Sequence, residues 1–174
     1  AALPVVTAGA AFAALFDVTI RFNRGDSPPV NRTFWLAFRA NFKQASLLWL
    51  LVGPIGVALG ASWVLLPVEE VLPLKALTTL IYMAVFPYFF FLQAKFENTV
   101  GATIKNALLI PMLRLPYSLT SLAIQAILIA IAVATTIYVP QALPVLVLLG
   151  FGGWAYAITP VLQKSVGPWD APKS

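Results

Sequence analysis

The sequence predicts an all-α fold, a polytopic helical membrane protein with about five apolar segments visible, and three observations carry that prediction. Sixty per cent of the 174 residues are hydrophobic and only 10% are charged, where a soluble domain carries charge at about a quarter of its positions. The mean hydropathy of +0.89 describes more apolar surface than one core of this size hides from water. Two runs, 45–66 and 117–139, contain no charged residue, and each is long enough to cross a hydrocarbon core, which takes about 20 residues.

The length suits a single integral membrane domain over 1–174. Its first apolar stretch, 3–22, opens on LPVVTAG, where Pro4, Thr7 and Gly9 signal a helix start. A helix is expected from about Ala8 to Asn23, with Asp17 and Arg21 paired at i, i+4 near its end. Residues 25–30, GDSPPV, read as a loop. Next comes RTFWLAFRANFKQAS, 32–46, which concentrates charge and aromatic residues in an otherwise apolar chain. On a helical wheel Phe34, Phe38 and Phe42 share a face with Trp35 at its edge, and Arg32, Arg39 and Lys43 form a stripe about 100° away. That is the layout of a helix lying in a membrane interface, aromatics down and cations towards the headgroups.

The charge-free run 45–66 is a spanning helix with Pro54 as its expected kink. Gly53, Gly56 and Gly60 share one face, and Gly56-x-x-x-Gly60 is the small-residue pattern of close helix packing. An acidic turn, 67–73, leads to a span over 75–93, whose block Phe89-Phe90-Phe91 reads as an interfacial aromatic belt. A second polar stretch, 94–116, is largely helical by pattern, with Ile104, Leu108, Met112 and Leu115 on one side and Pro111 interrupting it. The charge-free span 117–139, a turn at 140–144, a last span over 143–162 and a flexible polar tail, 164–174, complete the chain. Lys43-Gln44-Ala45 followed by leucines, echoed in Lys105-Asn106-Ala107, hints at internal repetition.

Counting Lys and Arg sets the expected orientation. Arg21, Arg24, Arg32, Arg39, Lys43, Lys95, Lys105, Arg114, Lys164 and Lys173 fall on one side if the spans alternate, and Lys75 alone falls on the other. The positive-inside rule places the cation-rich loops and the C-terminus in the cytoplasm, and Glu69 and Glu70 outside. The chain starts at Ala1 within an apolar run, so a further hydrophobic segment upstream is expected.

The sequence contains no cysteine and no histidine, which removes thiol chemistry and the commonest general base and metal ligand. No G-x-x-x-x-G-K-[ST] phosphate loop occurs, and no acid–base or nucleophile–base pair can be assembled. The expectation is therefore no enzyme, with no catalytic, cofactor-binding or metal residue and no cofactor. The net charge of +5 is explained by membrane topology, so no nucleic-acid partner is expected. The partner that is expected is the lipid bilayer. Arg32, Trp35, Arg39, Asn41, Lys43, Gln44, Lys105 and Asn106 are expected to touch either anionic lipid or a partner protein. Tyr82, Gln125, Thr136, Tyr138 and Tyr156 within the spans either bond across helices or bind a ligand.

Four segments carry a resemblance: LPVVTAGAAFAALF (3–16), FWLAFRANFKQA (34–45), PYFFFLQAKFENT (87–99) and TIKNALL (103–109). In order and spacing they resemble the YesL-like family of bacterial integral membrane proteins, a family labelled as a domain of unknown function. In that family the LP-x-VT element follows an N-terminal hydrophobic helix, which implies six segments with both termini cytoplasmic. YesL-like proteins often accompany carbohydrate importers of the ATP-binding-cassette (ABC) class. The resemblance therefore implies a non-catalytic accessory membrane protein in the bacterial plasma membrane, assisting an oligosaccharide ABC importer through its permease subunits. It carries over no site residue. The alternative is an autonomous small-solute transporter or facilitator.

Overall fold

The computed structural model describes residues 3–26, 29–66, 69–96 and 99–167 and, within them, all side chains except those of 3–6, 143, 147 and 148. The described chain forms six α-helices: α1 (Leu3–Asn23), α2 (Val30–Leu65), α3 (Leu72–Lys95), α4 (Val100–Leu113), α5 (Leu115–Tyr138) and α6 (Leu143–Val166). Single 3-10 turns at Glu69–Val71 and Pro140–Ala142 lead into α3 and α6. Three helical segments are long and apolar enough to cross a membrane: α2, α3 with its leading turn, and α5. Pro140–Leu146 and Leu149–Val166 meet the same length and composition only when taken together, across a bend of 59°. Their outward faces carry Leu51, Ile55, Val64, Leu74, Ile81, Leu119, Ile131 and Leu149, all more than half exposed. Apolar surface on that scale is stable against lipid and unstable against water, so this is a helical membrane protein.

The first apolar segment becomes the centre of the bundle. α1 packs against α2, α3 and α6, and Ala10, Ala13, Ala14 and Phe16 are fully buried. Its small residues let neighbouring backbones approach closely. A Cβ on Gly9 would meet the Ala45 carbonyl oxygen and lie 2.6 Å from Trp49 Cβ, so only glycine fits there. One turn on, the Phe12 ring touches Trp49 of α2, Phe86 and Phe90 of α3, and Phe151 and Trp154 of α6, with centroids 5.4–5.9 Å apart. Thr19 and Thr159 share a hydrogen bond of 2.8 Å between α1 and α6. The helix already exists at Leu3, so Thr7 sits inside it rather than capping it. It ends in a Schellman turn, with Asp26 N donating to Arg21 O, Gly25 N to Phe22 O, and Gly25 at φ +85°.

The amphipathic stretch is not a separate helix lying in the interface. Residues 32–44 are the first part of α2, one α-helix of 36 residues and so about 54 Å long, against a hydrocarbon core of about 30 Å. No glycine or proline falls between Val30 and Val52 to break it. α1 covers the small-residue side of this extension, where Thr33, Ala37 and Ala45 are buried.

Two further expectations change. Tyr88, Phe89, Phe90, Phe91 and Leu92 are all buried, and Phe91 meets Phe16 edge to face at 5.9 Å. The block is core packing rather than an interfacial belt, because α1 and α4 enclose the end of α3. At the C-terminus α6 runs on to Val166, with Ser165 and Val166 buried, so the packed chain continues past Lys164. Pro67, Val68, Glu97, Asn98, Asp170 and Lys173 lie outside the described residues.

Hydrogen bonds mark the two ends of the bundle. Gln93 bonds to Gln44, and the Gln163 amide donates to Ile20 O at 3.5 Å, which brings one end of α1, α3 and α6 beside the middle of α2. At the other end the buried Lys75 ammonium donates to Ser62 O at 3.0 Å and to Leu66 O, capping the C-terminus of α2.

Candidate functional site

Polar side chains converge on a cleft of about 810 Å³ at the end of the bundle marked by Gln93. One wall is the last two turns of α1 with the residues that follow, bringing Asp17, Arg21, Arg24 and Asp26. The facing wall is α2, with Asn41, Lys43 and Gln44. The end of α3 and the N-cap of α4 close it through Gln93, Lys95 and Thr99. The helices place these groups together because α1 ends at Asn23, close in sequence to Val30, where the extension of α2 begins.

The floor of the cleft is an amide relay. The buried Gln93 Nε2 donates to Gln44 Oε1 at 2.6 Å, and Thr103 Oγ1 donates to Gln93 Oε1 at 3.4 Å. Gln93 thus ties α2 to α4. Above it, Arg21 Nε donates to Asp17 Oδ2 at 2.9 Å in the expected i, i+4 pair. That hydrogen bond, with the Asp17 charge second, raises the Arg21 pKa above its ordinary value. Lys95 Nζ rests over the Phe91 and Phe96 rings at 5.7 and 5.5 Å. Arg24 and Lys43 have no carboxylate within ion-pair distance among the described residues.

The structure divides the residues singled out from sequence. Asn41, Lys43 and Gln44 line the cleft, and Asn41 Nδ2 also donates to Ala37 O at 3.1 Å. Arg32, Trp35 and Arg39 lie elsewhere on the extension, in a shallow groove of about 380 Å³ with Leu36. Lys105 and Asn106 sit on α4, outside both. The three glycines also separate. Gly53 lies under the Trp49 ring of its own helix, and a Cβ on Gly56 would come within 2.8 Å of Tyr82 Cζ. Gly60 would meet nothing within 4 Å, so within this chain it is not a packing position. The closer approach is at Gly9, which sequence reasoning read as a helix-start signal; its spacing from Ala13 on an alanine-rich face was the available clue.

At membrane depth a second cavity of about 450 Å³ lies between Phe12, Phe86, Leu128, Phe151 and Trp154, with Tyr82 and Gln125 at its edge. Both polar groups bond across helices: Tyr82 Oη donates to Val52 O at 3.2 Å, and Gln125 Nε2 to Met83 O at 3.1 Å. Thr136 donates to Ala132 O of its own helix, while Tyr138 and Tyr156 are exposed. No group of three or more His, Cys, Asp or Glu residues comes together among the described residues.

Residues 1–63 match a family described as a protein of unknown function, DUF624. The matched region contains α1 and almost all of α2, including the cationic extension and the Gly9–Ala45 contact. No curated protein and no solved structure matches the chain.

Proposed function

We propose that this chain is a non-catalytic accessory membrane protein of the YesL-like type. In this reading it assists an oligosaccharide ABC importer in the bacterial plasma membrane, with the cleft end and the C-terminus in the cytoplasm. The observation that carries the proposal is the extension of α2. About 15 residues of that helix exceed what a 30 Å core requires, and their outer face presents Trp35 and Leu36, 55% and 60% exposed, between Arg32 and Arg39. Tryptophan and arginine are the residue types enriched where proteins bind one another most tightly. The match over residues 1–63 includes this surface. The gathering of Arg21, Arg24, Lys43 and Lys95 at one end supports the cytoplasmic assignment.

A helper needs a docking surface and a stable membrane anchor rather than a solute path. The polar groups that a facilitator would use, Tyr82 and Gln125, are turned to main-chain carbonyls. The test is oligosaccharide uptake in cells lacking this gene. Uptake should fall and recover on complementation with the full chain. Normal uptake, or solute flux in proteoliposomes holding this protein alone, contradicts the helper role.

A further inference from the structure

The cleft has a charge pattern that a docking role leaves unused. Arg24 stands at the end of α1 and Lys43 on the facing wall of α2. Both side chains belong to exposed residues, and neither has a carboxylate partner within ion-pair distance among the described residues. The two carboxylates of the cleft offset only part of this charge: Asp17 is held by Arg21, and Asp26 faces the remaining cations Arg24, Lys43 and Lys95. Like charges facing one another across a concave surface repel, and an anion between them removes that repulsion.

Two more features suit an anion bearing several oxygens. Thr99, the N-cap of α4, lines the cleft, so the positive end of a 14-residue helix borders it. Asn41 and Gln44 add amide groups to the wall that carries Lys43. A guanidinium, an ammonium and a helix N-terminus together are the usual donors to phosphate oxygens. The volume of about 810 Å³ falls within the range of small-molecule sites.

We infer that this cleft binds a phosphate-bearing ligand through Arg24 and Lys43, whether the headgroup of an anionic phospholipid or a soluble phosphate compound. Three probes distinguish the sources: dihexanoyl phosphatidylglycerol, dihexanoyl phosphatidylcholine and inorganic phosphate, each titrated into the detergent-solubilised full chain by isothermal calorimetry. Saturable binding of phosphatidylglycerol alone assigns a lipid headgroup, and binding of inorganic phosphate assigns a soluble ligand. In either case Arg24→Gln and Lys43→Gln should each weaken binding by about tenfold, while Lys164→Gln, which removes one charge elsewhere, should change it less than twofold. Asn41→Asp, which places a carboxylate on the wall without removing a cation, should also weaken it about tenfold. Circular dichroism and gel filtration identify any variant that fails to fold, and the wild-type titrations and Asn41→Asp then decide. Absence of saturable binding by every probe overturns the inference. So does equal binding of phosphatidylcholine and phosphatidylglycerol without phosphate binding, or equal weakening by Lys164→Gln.

Discussion

Gln93 of α3 donates a 2.6 Å hydrogen bond to Gln44 of α2, 49 residues earlier, at the point where the extension of α2 meets the bundle. Gln93 is 4% exposed, so its amide depends on Gln44 and Thr103 for partners. Interhelical hydrogen bonds in membrane proteins average about 0.6 kcal/mol and reach about 1.7 kcal/mol. Gln93→Leu should therefore destabilise the fold by about 1 kcal/mol. In a double-mutant cycle with Gln44→Ala, the two changes should couple by at least about 0.5 kcal/mol. Reversible unfolding in mixed detergent measures both. Strict additivity would show that the bond contributes nothing.

Gly9 sets the distance between α1 and α2. A larger residue there must displace the Ala45 carbonyl or the Trp49 side chain, and neither is the end of a flexible chain. Gly9→Val should cost about 1–3 kcal/mol through overpacking, with loss of folded protein on gel filtration. Gly60→Val, which meets open space, should change stability by less than about 0.5 kcal/mol. Equal effects at the two sites would contradict the packing described for α1.

Orientation can be read chemically, because the chain has no cysteine of its own. A single cysteine at Glu70 should react with an impermeant maleimide added to intact cells. One at Asn41 should react only after the membrane is opened. The reverse pattern would place the cationic cleft outside and remove the basis for a cytoplasmic docking surface.

Much of the fold was legible in the sequence, and the parts that were not share a physical reason. The charge-free runs located α2 and α5, since twenty apolar residues in succession have few other uses. The Asp17–Arg21 pair followed from spacing within one helix. What periodicity could not reveal was which face meets protein and which meets lipid, because both are apolar in a membrane protein. Hence Phe89–Phe91 read as a belt although they are core, and the apolar Leu3 segment read as one span among several although its alanines make it the centre. The cleft was half legible. Asn41, Lys43 and Gln44 stood out beside Arg39, but their meeting with Arg24, Gln93 and Thr99 depends on contacts distant in sequence. The continuity of α2 was hidden because a change of composition at Ala45 resembles a boundary, while helix hydrogen bonding takes no account of composition.

The central claim is that the outer face of the α2 extension docks a permease subunit. Its most direct test is affinity purification of the tagged full chain from mildly solubilised bacterial membranes, with bound proteins quantified by mass spectrometry. Wild type should retain permease subunits of an oligosaccharide importer. Trp35→Ala combined with Arg39→Glu should lower their recovery at least tenfold while membrane insertion and yield stay unchanged. Recovery of no permease subunit with wild type, or equal recovery with the double variant, would contradict the claim.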